Sequence, residues 1–375
     1  MLARRLFWAS AGALAWTHVG YPLAARWLAE RRGRPVRKAP QTPRVAVVVA
    51  AHNEDDVIER RLENLLALDY PAESLEILVA SDASTDRTDE LVEAAAGRDP
   101  RVRLVRCPRG GKVAAQNHTV RETDAEILAF SDANARWAPE TLRKLVESFA
   151  DPEVAYVCGQ LRLDSPDGTN REGAYWRYEV ALRSSESLLG SVTGGNGSVY
   201  AVRREDYVDV DPRFGHDLAF PYLMVQRGRR AVYEPEAIAF ERPTPDTEDE
   251  YRRKVRMFEH CWAIVLEGRM FRDVPPLYLG QLVSHRALRY GSGLLHVILL
   301  ATTLRLAPRG GVYRLALAKH VAFLALAEAG RRRKPMPGAS LAWYYTLVTA
   351  ATLVALAGYL RRGVPAVWDR PEGTR

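Results

Sequence analysis

Along the first third of the chain, continuous apolar runs alternate with segments of helical spacing. Val45-Ala46-Val47-Val48-Val49-Ala50 is unbroken and rich in β-branched residues, the pattern of a strand covered on both faces. Ile58, Leu62, Leu65 and Leu66 follow at helical period. Leu75 to Ala80 predicts a second strand, followed by a helix carrying Leu91 and Val92. Val102 to Val105 predicts a third, before a helix through Ala115 and Val120. The fourth runs through Ile127-Leu128-Ala129-Phe130 and ends at Ser131-Asp132-Ala133-Asn134. Strands alternating with helices predict an α/β fold with a parallel sheet and right-handed crossovers.

The two ends of the chain read differently. Leu6 to Ala29 is mostly apolar and free of acid, with Trp8, Trp16, Tyr21 and Trp27 along it. It is long enough to cross a bilayer, and no small-residue cleavage site marks it as a signal peptide. Pro275 to Tyr290 mixes apolar and basic residues, as an interfacial segment does. Gly291–Leu306, Tyr313–Ala329 and Leu341–Leu360 are further apolar stretches. The expected organisation is an N-terminal transmembrane helix (1–30), a basic linker (31–43), an α/β domain (44–272), an interfacial segment (273–290), membrane helices (291–361) and a tail (362–375).

Charge adds an orientation. The net charge is +7, with basic clusters at Arg31 to Lys38 and Arg331 to Lys334. Each adjoins an apolar run, so a bilayer surface is the expected partner and nucleic acid is not. The first cluster follows the first helix, which places the α/β domain in the cytosol of a multi-pass inner (cytoplasmic) membrane protein. Cys107, Cys158 and Cys261 are the only cysteines and are widely spaced, so neither a disulfide framework nor a structural zinc site is expected.

Polar clusters end the successive strands, where open α/β sheets collect ligands. Asp132 and Asn134 are two apart and share a face of an extended backbone. Their oxygens suit a hard divalent cation that clamps a diphosphate. The first strand ends in Asn53-Glu54 and the second in Ser81-Asp82, and Gly111-Lys112 opens a helix. No GxGxxG follows the first strand and no Walker loop surrounds Lys112. Downstream, Gly190 to Gly197 is glycine-rich, Phe214-Gly215-His216-Asp217-Leu218 heads a helix, and Arg253 and Arg256 share a helix face.

Taken in order, Val45 to Glu54, Ser81 to Asp86, Gly111 to Asn117, Ser131 to Asn134 and Gly194 to Arg204 resemble the successive motifs of family 2 glycosyltransferases. The resemblance implies a GT-A nucleotide-diphospho-sugar transferase fold with N- and C-terminal transmembrane helices. It implies that Asn53, Glu54, Asp82, Lys112, Asp132 and Arg256 bind a nucleotide-sugar donor, a UDP-sugar being expected. It also implies that Asp132 and Asn134 hold Mg2+ or Mn2+, and that Gly195, Asn196 and Gly197 lie beside the acceptor. Asp217 stands where the family carries its catalytic base. The expected reaction is inverting hexosyl transfer to a growing exopolysaccharide or a lipid-linked saccharide. Arg253, Arg256 and Met257 favour the first of these acceptors.

The chain departs from the family pattern at Asn134 and His216, where acids are usual. These departures support an alternative, a catalytically weak membrane-anchored protein that binds sugar nucleotides or scaffolds a polysaccharide assembly complex. A nucleotidyltransferase would carry a Gly-rich, Arg-containing loop after the first strand, where Ala51-His52-Asn53-Glu54 stands instead.

Overall fold

The computed structural model describes residues 1–163, 173–242 and 247–364. Eight strands form one sheet: β1 (Val45–Ala51), β2 (Leu75–Asp82), β3 (Val102–Cys107), β4 (Ile127–Asp132), β5 (Arg136–Trp137), β6 (Val154–Leu163), β7 (Tyr200–Arg203) and β8 (Arg230–Glu241). Their spatial order is β3-β2-β1-β4-β7-β6-β8-β5. The first half is parallel, with Val47 of β1 set between Ile77 of β2 and Ala129 of β4. The first four strands are parallel as expected, and the second half adds antiparallel pairs. β7 runs antiparallel to both β4 and β6, β8 is parallel to β6, and β5 is antiparallel to β8. Strand β7 lies between β4 and β6, so the antiparallel pairs fall next to the end of β4.

Period two assigns each strand residue to a core. Val45, Val47 and Val49 pack with the helix Ile58–Leu66, through Ile58, Leu62 and Leu65. Ala46 and Val48 pack on the other face, with Ala115 of Lys112–Thr119 and Phe220 of His216–Gln226. Val47, Val48 and Val49 are fully buried, each stabilising the sheet by roughly 1.5–3 kcal/mol. That burial explains the unbroken apolar run.

The apolar ends form a separate helical layer. Leu2–Ala15 and Tyr21–Arg32 are joined by a π-helical turn at Trp16–Gly20. Phe7, Leu14, Thr17, Tyr21 and Ala25 are buried along one face, while Trp8, Trp16, Val19, Leu23 and Trp27 are exposed on the other. Leu2–Ala15 packs on Ser292–Leu306. Among the described residues, Ala339–Arg362 alone is long and apolar enough to cross a membrane as one helix. The pair Pro276–Tyr290 and Ser292–Arg309, bent by 63°, is a second if counted as one span. The expected N-terminal span is helical but does not reach that measure, so the several spans expected are reduced to one or two candidates among the described residues. The tail from residue 365 lies outside the described residues.

Candidate active site

The loops after β1 and β2 brace each other. Asn53 and Ala83 both adopt left-handed backbone, with φ of 56° and 54°. For alanine this conformation costs about 1–2 kcal/mol, and the surrounding bonds hold it. The Asn53 amide donates to Ser84 Oγ at 3.2 Å, and the Thr85 amide donates to Asn53 Oδ1 at 2.7 Å. Asp82 is deeply buried and accepts from Arg109 Nη1 at 2.5 Å, Gly110 N at 2.7 Å and Gly111 N at 3.0 Å. Its carboxylate shapes the turn that presents Lys112. Gly111, with φ of 87°, supplies the backbone this turn needs.

Lys112 opens the helix Lys112–Thr119, and its ammonium bonds the Asp132 carboxylate at the end of β4. It also reaches the Gly197 carbonyl at 3.4 Å. On the far side of Asp132, Ser198 Oγ lies 3.3 Å from Oδ2 and also bonds the carboxylate of Glu241, at the end of β8. Burial first, and then the charge of Asp132, push the Glu241 carboxyl above its ordinary range. Two carboxylates joined through one hydroxyl are a fitting seat for a divalent ion. Among the described residues no third His, Cys, Asp or Glu joins them, so substrate phosphates would complete the coordination shell. Asn134 is exposed and does not line the cavity.

The glycine-rich segment owes its glycines to close packing. A Cβ on Gly194 would meet the Arg286 guanidinium at 2.5 Å, and one on Gly195 would meet Tyr156 Oη at 2.0 Å. Asn196 Oδ1 accepts from the amides of Ser198 and Val199, and its Nδ2 donates to the Gly159 carbonyl at 2.6 Å. The loop is therefore fixed from within. The Gly195 amide donates to the Asp217 carbonyl at 2.7 Å, tying it to the helix His216–Gln226.

His216 and Asp217 are neighbours in sequence with opposite environments. His216 is buried among Phe130, Tyr207 and Phe220, with Nδ1 2.7 Å from Tyr200 Oη. Burial first, and then the Lys112 charge, lower its pKa to about 3, so it is neutral at working pH. Asp217 is half-buried and opens onto the cavity.

That cavity, of about 570 Å3, gathers much of the expected site. Lys112, Asp132, Asp217, Arg256 and the segment Gly195-Asn196-Gly197 all line it. Asn53, Glu54 and Asp82 do not, and lie instead in the braced loops beside it. The structure adds Glu241, Ser198, Arg183 and Arg286 to the lining. Glu241 closes a strand interrupted by Pro235, and only its acid at a strand end could have signalled it.

Known proteins are similar to this chain in sequence and in fold. Residues 46–210 match the family described as Glycosyl transferase family 2. Over 297 residues the chain is 28% identical to an N-acetylglucosaminyltransferase of Rhizobium meliloti, covering 72% of this chain and 68% of that one. Over 164 residues it is 32% identical to a beta-monoglucosyldiacylglycerol synthase of Synechocystis, covering 42% of this chain and 33% of that one. The chain thus spans from a third to about two thirds of the length of these relatives. A mannosyltransferase from Pyrobaculum calidifontis, solved with GDP-mannose and Mn2+, superposes with a TM-score of 0.72 at 27% identity, covering 94% of this chain and 98% of that one. Matched in sequence over residues 46–210 and in fold over nearly its whole length, the chain carries a family 2 glycosyltransferase domain.

Proposed function

We propose that the protein transfers a sugar, with inversion, from a nucleoside diphosphate sugar to a saccharide or lipid-linked acceptor at a membrane surface. The observation that carries this reading is the half-buried carboxylate of Asp217 in one cavity with the Lys112–Asp132 pair. Asp217 takes the acceptor hydroxyl proton as that oxygen attacks the anomeric carbon, and the bond to the diphosphate oxygen breaks on the opposite side. Lys112 and Arg256 receive the negative charge that develops on the diphosphate. Asp132 and Glu241 would hold Mg2+ or Mn2+, which supplies further positive charge to the same leaving group. Asn53, Glu54 and Asp82 support the nucleoside end through the loops they brace. The related mannosyltransferase bound GDP-mannose, so the donors to compare are UDP-sugars and GDP-mannose.

The membrane reading rests on where large apolar side chains are exposed. Apart from Leu188, Met257 and Leu266, every one found exposed among the described residues lies in 1–27 or 277–360. We assign these segments to the bilayer and its surface, with the α/β domain on the cytosolic side.

The test is Asp217→Asn, which nearly conserves volume. Donor binding should survive while single-turnover transfer falls by roughly two to four powers of ten. Near-normal transfer by this variant would move the base elsewhere.

A further inference from the structure

The cavity does not close behind Asp217. It continues between helices of the apolar layer, where the residues along it keep helical spacing. Leu341, Tyr345, Val348 and Thr352 form one stripe on Ala339–Arg362, the helix long and apolar enough to cross a membrane. Met257 and Ile264 of Thr247–Glu267 line the same arm. Trp262 Nε1 donates to the Thr352 carbonyl at 2.9 Å and fastens these two helices together. Leu341, at the other end of the stripe, is 50% exposed on the apolar surface. The same cavity is also lined by the polar side chains of Tyr178, Glu179, Arg183 and Arg289. One cavity therefore joins the Asp217 carboxylate, hydrogen-bonding side chains and an apolar rim.

We propose that this arm seats the acceptor, and that the acceptor is an amphiphile. Its hydroxylated head lies among Tyr178, Glu179 and Arg183 and offers a hydroxyl to Asp217. Its hydrocarbon chain lies along the Leu341–Thr352 stripe and leaves at Leu341 into the bilayer. A soluble glycan would gain nothing from Leu341, Val348, Met257 and Ile264, and would leave them wet. The proposal rests on the transferase reading and narrows its acceptor.

Two measurements on the full chain in phosphatidylcholine vesicles test it, with methyl and dodecyl β-D-glucoside as probes. The first reads access. In a Cys261→Ser background, Thr349→Cys on the same stripe should react with lipid-soluble N-cyclohexylmaleimide before a charged maleimide. Dodecyl glucoside should slow that reaction at least tenfold, and methyl glucoside should not. The second reads transfer of radiolabelled sugar. Dodecyl glucoside should be the better acceptor, each buried methylene lowering its KM about fourfold until the arm is filled. Val348→Trp should remove that advantage while UDP or GDP binding stays unchanged. Faster attack at position 349 by the charged reagent, or equal use or equal protection by the two glucosides, would overturn the proposal. Failure of the wild type to bind either nucleotide would instead sink the transferase reading, whatever the alkylation pattern.

Discussion

The two ends of the cavity are held by opposite means. At the strand ends, Lys112, Asp132, Ser198 and Glu241 bond to one another, and Lys112 and Asp132 are still partly open to solvent. On the proposed reading a diphosphate and its cation would take over these bonds. Beyond Asp217, behind the lining residue His285, Glu186 is fully buried and joins three parts of the chain. It accepts from Tyr21 Oη at 2.6 Å and from the Thr193 amide and hydroxyl at 3.1 and 2.9 Å, and His285 Nδ1 lies 2.8 Å away. Burial alone would raise its pKa, but the neighbouring His285 and Arg286 hold it down to about 2. A carboxylate this dry persists only with every partner in place. On the proposed reading the first end exchanges partners, whereas the second is a joint between the N-terminal helix, the glycine-rich loop and the segment leading into the apolar layer.

The contrast is sharpest where each end is cut. Asp132→Ala should reduce transfer by about a thousandfold or more while leaving the melting temperature close to that of the parent. Excess chelator should do the same to the wild type, and undiminished turnover in chelator would remove the divalent ion from the site. Glu186→Leu should reverse the pattern. It strands Thr193, His285 and Tyr21, and costs about 3–5 kcal/mol, read as a lower melting temperature in detergent. A variant that melts like the parent would show that no joint exists there.

His216 separates the two ends more gently. Its folded pKa lies below its unfolded value, so its contribution to stability is complete above pH 6.5 and is lost as pH falls towards 3. Between pH 7.5 and pH 5 the wild type should lose about 2 kcal/mol through this group, and His216→Phe should not. Melting curves at both pH values check this, and parallel losses would place a charged histidine in the folded protein.

The exchangeable end was legible in the sequence because its residues lie at the ends of predictable strands. Lys112, Asp132 and Asp217 each followed an apolar run or headed a helix, and the fold brought them to one cavity. Asp82 gave the same signal, yet its carboxylate is spent on the amides of its neighbouring loop. An acid at a strand end looks alike in sequence whether it meets a ligand or its own backbone. Glu241 was missed because its partner hydroxyl, Ser198, is 43 residues away and β8 carries Pro235. The joint was wholly illegible. Glu186 and His285 are 99 residues apart, and neither sits in a pattern that names the other.

The packing of Leu2–Ala15 against Ser292–Leu306 also sets an order of events during synthesis. Leu2–Ala15 is made long before Ser292–Leu306, the helix it docks on, and Thr17 Oγ1 finds the Ser284 carbonyl, at 2.6 Å, across 267 residues. At translation rates of 5–20 residues per second, that helix waits roughly 15–60 s for its partner. The sheet strands β1 to β8 have all emerged by then. The nascent chain must therefore shelter one apolar helix while an entire α/β domain folds behind it, and the cavity gains its far wall only when Ala339–Arg362 arrives.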